Sequence, residues 1–175
     1  MKLFTFVLVL SFTLPSFASN IDVWTLQKSK SSIDDNLIPG KWNLVAVWAL
    51  DCIACEAQKP KLSSFHRRFD HLNVLGVSID GKSQIKGVID RLESKPVSFD
   101  NFIVEYDQFA SAFSLEFGTS FLATPTYLLY SPVGDLEGVH IGPISFSELK
   151  KIIEPRKSTV STDLMRWKID VLGRV

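Results

Sequence analysis

The chain has two cysteines, Cys52 and Cys55, in the stretch WALDCIACEAQKP that runs from Trp48 to Pro60. They sit on a change of hydrophobic period, and that junction constrains the fold more than any other feature. Before them, Trp42 to Leu50 reads WNLVAVWAL, an apolar run with little polar interruption that suits a central strand covered on both faces. After them, Leu62, Phe65, Phe69 and Leu72 recur with the stripe of an amphipathic helix, leaving His66, Arg67, Arg68 and Asp70 largely on the wet face. Pro60 lies inside that helix, removes a backbone donor and predicts a kink. A sulfur between the end of a strand and the first turn of a helix meets unpaired N–H groups and the positive end of the helix dipole. Such a position lowers a thiol pKa from about 8.5 into the range of roughly 3.5 to 7.5. Cys52 is the activated sulfur, and Cys55, deeper on the same helical face, is near enough to attack a mixed disulfide formed at Cys52. The residues leave three uses of the pair open: reversible disulfide exchange, metal ligation, or a structural bond.

Compartment bears on that choice. Lys2, the apolar run Leu3 to Leu14, Pro15 and Ser16-Phe17-Ala18 have the order of a signal peptide. Residues 1–18 are therefore expected to be removed after Ala18, or retained as an uncleaved membrane anchor, and the protein to be exported, to the periplasm. The residue directly after the cleavage point is Ser19 and not a cysteine, so a lipid-modified N-terminus is not expected. Outside the cytoplasm thiols drift towards disulfides unless something maintains them. At 175 residues the chain has room for one core. Lys+Arg and Asp+Glu both total 19, so no net positive field exists to hold a phosphate backbone, and nucleic acid is excluded as a partner.

The remaining pattern completes an α/β domain over residues 40–154. A lead-in over 19–39 holds a short edge strand at Val23–Leu26 and ends in the turn Pro39-Gly40. Asn73–Asp80 reads as a strand, Ile85–Leu92 as a helix and Phe102–Glu105 as a strand. Phe109, Ala112, Phe113 and Phe117 mark a helix that Gly118 ends. Thr126–Ser131 and Leu136–Ile141 flank Pro132-Val133-Gly134-Asp135 as an antiparallel hairpin. Ser145 caps a last helix carrying Phe146, Leu149, Ile152 and Ile153, and Pro155 stops it. The tail 155–175, with Leu164, Trp167 and Val171 at helical spacing, has no assigned role. This order predicts a mixed sheet, parallel at first, with helices on both faces and an antiparallel edge.

Trp48-Ala49 before the pair, Cys52-Ile53-Ala54-Cys55 itself, Pro60 in the following helix and Ala123-Thr124-Pro125-Thr126 at the hairpin together resemble the thioredoxin superfamily. The match is to its exported branch, similar to TlpA, ResA and the thioredoxins of cytochrome c maturation, with Gly81–Glu105 as that branch's extra helix and strand. The resemblance implies an exported thiol–disulfide oxidoreductase that exchanges the Cys52–Cys55 couple with thiols and disulfides of exported proteins. The reducing direction is favoured, with a membrane electron donor or acceptor as partner. It implies no organic cofactor and no metal. It also implies a cis peptide bond at Pro125 against the disulfide, with the Thr124 backbone beside Cys52 open to an extended substrate segment. Trp48 is then core packing beneath the site and a substrate contact as well. Two alternatives of other classes are a Cu(I)-delivery protein on the same fold, since soft thiolates suit Cu(I), and a non-catalytic interaction domain.

The chain departs from its relatives at several positions. Asp51 replaces an aromatic and opposes thiolate formation at Cys52. Gln58 stands where many exported reductases carry an acid, and Ala46 where cytoplasmic thioredoxins carry a buried aspartate. Glu56, the nearest remaining acid, reads as a solvated first-turn residue and a modulator of the cysteine pKa values. Ile53-Ala54 holds neither the histidine of strong oxidants nor the proline of many reductases. His66, His71 and His140 show no spacing that converges on the pair.

Overall fold

A computed structural model describes residues 21–154. The signal or anchor segment expected at 1–18, and the tail 155–175 with Leu164, Trp167 and Val171, lie outside the described residues. The apolar run before the cysteines is β3 (Trp42–Trp48), buried at every position after Trp42. Hydrogen bonding on both sides makes it central. It runs parallel to β4 (Leu72–Ser78), with Val45 opposite Leu75, and antiparallel to β6 (Thr126–Tyr130), with Val45 opposite Leu128. Outward from β6 comes β7 (Leu136–Ile141); outward from β4 come β5 (Asp100–Ile103), β1 (Asp22–Thr25) and β2 (Lys30–Ser32). The sheet order is β2-β1-β5-β4-β3-β6-β7.

Successive side chains of a strand point to opposite faces, and both faces of β3 are apolar because both are covered. Val45 and Val47 pack with Phe109 and Phe113 of α3 (Tyr106–Phe117). Leu44 and Ala46 pack with Leu62 of α1 (Ile53–Arg68) and with Leu149, Ile152 and Ile153 of α4 (Phe146–Ile153). Trp48, at the end of β3, joins Cys55, Ile103 and the apolar side of α2 (Ile85–Ser94). The expected thioredoxin-like α/β fold is the one observed, with α2 and β5 between β4 and α3 as the insertion. Among the described residues, no helix is long and apolar enough to cross a membrane.

Several local readings are corrected. Leu72 belongs to β4 and not to the helix stripe: α1 stops at Arg68, Phe69 leaves helical geometry, and the Leu72 N–H donates to the Phe69 carbonyl at 2.9 Å. Pro60 lies inside α1, where the sequence placed it, on the exposed side of the helix. The edge strand expected at Val23–Leu26 is an interior strand, β1, because a turn at Lys28 (φ 69°) folds Lys30–Ser32 against it. That short polar strand carries no alternation to betray it. Residues read as a lead-in thus enter the core through Ile21, Val23 and Ile33. Gly118 ends α3 in the left-handed conformation (φ 63°), where a glycine carries no steric penalty.

Candidate active site

The strand-to-helix junction sets the two sulfurs in different surroundings. Cys52 is the N-cap of α1, with extended backbone, and its Sγ accepts the Cys55 N–H at 3.1 Å. The sulfurs are bonded to each other, with their Cα atoms 5.2 Å apart. Cys52 is half-buried, whereas Cys55 is 3% exposed. An incoming sulfur therefore meets Cys52 first. Asp51 and Ile53 on either side of Cys52 are exposed, Ile53 at 87%.

The loop carrying Cys52 is held from the neighbouring parallel strand. The Leu50 N–H donates to both carboxylate oxygens of Asp80, at 3.0 and 3.2 Å, and the Ser78 hydroxyl donates to Asp80 Oδ2 at 2.6 Å. From α2, Arg91 Nη1 donates to the Leu50 carbonyl at 3.2 Å. Asp80-Gly81 reads as a plain turn in sequence, and its role as the anchor of this loop went unseen. The one available signal is that Trp48 and Ser78 end adjacent parallel strands, so the loops beyond them must meet.

Trp48 lies beneath the pair and is only 3% exposed. Its indole N–H donates to Asn101 Oδ1 at 3.2 Å, and Lys59 Nζ sits 3.3 Å from the centre of its ring. A side chain so covered fits the packing beneath the site expected of it. Glu56 is no solvated acid. Its carboxylate is held by Lys59 at 2.7 Å, Arg91 at 3.3 Å and Lys95 at 3.2 Å. Burial by itself pushes the Glu56 carboxyl up, but Lys59, by hydrogen bond and charge, with Lys95 and Arg91, outweighs it and holds the group below its ordinary value. Neither Asn101 nor Lys59 stood out in sequence.

The Thr124–Pro125 peptide bond is cis. Pro125 is buried, and it lines a cavity of about 10 Å3 together with Cys55, Trp48 and Lys59. Its carbonyl accepts the Gly142 N–H at 2.8 Å, and the Thr126 hydroxyl donates to the Ala123 carbonyl at 2.6 Å, so the Ala123–Thr126 turn is fixed on both sides. Thr124 is half-buried, and Leu122, two residues before it, is 67% exposed. The histidines have other partners: His66 Nδ1 accepts the Val74 N–H at 3.2 Å, His71 stacks edge-on against Phe69, and His140 Nε2 lies 3.2 Å from the Pro143 carbonyl. Among the described residues, no group of three or more His, Cys, Asp and Glu could hold a metal ion.

No curated protein matches this sequence. Solved structures do resemble the fold. A thiol:disulfide interchange protein of the thioredoxin family from Chlorobium tepidum superposes with a TM-score of 0.62 at 17% identity, covering 77% of this chain and 90% of its own. StoA from Bacillus subtilis gives 0.56 at 20% identity over 76% of this chain and 95% of its own. A secreted Mycobacterium tuberculosis disulfide oxidoreductase gives 0.59 at 14% identity over 77% and 95%. At such identities the likeness speaks for the thioredoxin-like fold. Membership follows from the sequence itself: the model of the AhpC/TSA family matches residues 10–139, a span that takes in β1 to β6, the cysteine pair and Pro125, and the chain belongs to the AhpC/TSA family.

Proposed function

We propose that the protein is an exported thiol–disulfide oxidoreductase that uses the Cys52–Cys55 couple to reduce disulfides in exported proteins. The observation that carries this reading is the asymmetry of the pair: a half-buried Cys52 at a helix N-cap, bonded to a buried Cys55 that shares a cavity with Pro125. In the dithiol form, the Cys52 thiolate attacks one sulfur of a substrate disulfide. A Cys52–substrate bond forms, and the displaced substrate thiolate takes up a proton. Cys55 loses its proton and attacks Cys52 Sγ, which closes the intramolecular disulfide and releases the second substrate thiolate. Two electrons pass to the substrate, and a membrane electron donor restores the dithiol. The Cys55 N–H on Cys52 Sγ and the dipole of α1 favour the attacking thiolate, while Asp51 works against it. Thr124 offers backbone to an extended substrate segment, and the exposed Ile53 and Leu122 favour apolar residues next to its cysteine.

Export is supported by the signal-like residues 1–18 and by the secreted relative from Mycobacterium tuberculosis. Ile53-Ala54 holds neither the histidine of strong oxidants nor the proline of many reductases, so the reducing direction rests on the resemblance to the exported branch. The test is trapping with Cys55→Ser in the native compartment: Cys52 should accumulate as mixed disulfides that dithiothreitol releases. If no such adduct forms, the exchange mechanism fails. A tight Cu(I) complex requiring both thiols would instead support copper delivery, and a disulfide that resists reduction would support an interaction domain.

A further inference from the structure

We propose that Lys59 is the charge that sets the ionisation of the Cys55 thiol, with Glu56 as the acid that attenuates it. The proposal rests on the oxidoreductase reading and assigns a role to a side chain that reading leaves unused. Lysine is almost never fully buried unless it is paired. Lys59 is 5% exposed, on the same face of α1 as Cys55 and one turn beyond it, and both line the cavity under the disulfide. Its ammonium lies between the face of Trp48 and the Glu56 carboxylate.

A plain buried ion pair would be neutral. Here one carboxylate faces three cations, because α2 adds Arg91 and Lys95 to Lys59, and the surplus around Glu56 is positive. Among the described residues, no other ionised side chain lines the cavity: Tyr127 lines it too, but burial drives its phenol far above the ordinary tyrosine value and it stays neutral. Asp51 is exposed beside Cys52, and Asp80 is occupied by Leu50 and Ser78. In a site this dry a cation acts strongly on a neighbouring sulfur. Before Cys55 can close the disulfide its S–H bond must break, the proton leaving to solvent. Lys59 stays an ammonium and favours the thiolate that remains. Burial holds the Lys59 ammonium below its ordinary value; Glu56, by hydrogen bond and charge, opposes the shift, and Arg91 and Lys95 add to it more weakly.

The test titrates Cys55 alone in the full chain carrying Cys52→Ser, by ultraviolet thiolate absorbance against pH. Lys59→Met should raise the midpoint by about one unit, a roughly tenfold loss of thiolate at a given pH below it. Glu56→Gln should move it the other way, because it frees the Lys59 charge. A merely structural role would send both variants towards the exposed-cysteine value of about 8.5. An unchanged Cys55 midpoint in folded Lys59→Met overturns the proposal. If that variant does not fold, Glu56→Gln decides: a midpoint lowered away from about 8.5 supports it, and one that is unchanged, raised or moved towards that value overturns it. No substrate enters the titration, so a failure here leaves disulfide exchange standing, whereas a missing Cys52 adduct sinks the exchange reading whatever the titration gives.

Discussion

Gly76 on β4 illustrates how closely the floor beneath the disulfide is built. A Cβ there would overlap the Asn101 amide and press on Phe99. That amide has nowhere to go, since its Oδ1 accepts the Trp48 indole N–H at 3.2 Å and its Nδ2 donates to the Phe99 carbonyl at 3.0 Å. Displacing it leaves buried polar groups unpaired as well as crowded. Gly76→Ala is therefore expected to lower stability by about 1–3 kcal/mol in urea unfolding, with a shift in tryptophan emission. An unchanged midpoint and spectrum would show that the amide is not locked. An asparagine in a short strand reads in sequence as a weak strand former, and only the register of β4 on β5, with Gly76 opposite Asn101, brings it under Trp48.

At the scale of elements, α3 and α1 differ in how openly they declare themselves. The aromatic face of α3 follows its sequence spacing: Phe109 and Phe113 are fully buried, and their ring centres lie 5.0 and 5.5 Å from that of Phe121. Phe109→Ala should cost about 3–5 kcal/mol through the cavity it leaves. Leu115→Ser, on the exposed side of the same helix, should stay within about 0.5 kcal/mol. Equal effects on the unfolding midpoint would contradict this packing. Helix α1 is less legible because its ends have different neighbours. Its first turns lie against α2, which brings Arg91 and Lys95 to Glu56, and its last turns lie against β4. A Glu and a Lys three apart on a helix normally form a solvated pair worth little. The insertion lying over them makes this one buried.

At the scale of the whole molecule, the contact between α1 and β4 at His66 couples stability to pH. His66 near the end of α1 accepts the Val74 N–H of β4 through Nδ1, which requires an unprotonated nitrogen. Burial first, then the charge of Lys41, hold its pKa below the ordinary histidine value. The unfolded chain, titrating near 6.5, then binds more protons than the native one. The His66 contribution is full above about pH 6.5 and is lost as pH falls through the depressed native value. Melting temperature should therefore drop between about pH 7 and 5, and His66→Gln should flatten that part of the profile. An identical drop in the variant would assign it elsewhere. Local identity was enough to reveal the strand-to-helix junction at Cys52, the apolar run that demands cover on both faces, the turn at Pro132–Asp135 and the hairpin around it. Those features arise from period and turn chemistry among near neighbours, and a linear chain displays them. Tertiary structure alone decided that Lys59 is buried, that Glu56 meets three cations, that Asp80 anchors the Leu50 loop and that the Trp48 indole pairs with Asn101. Each of these depends on side chains far apart in sequence that meet only once β3, β4 and β5 align and α2 closes over α1.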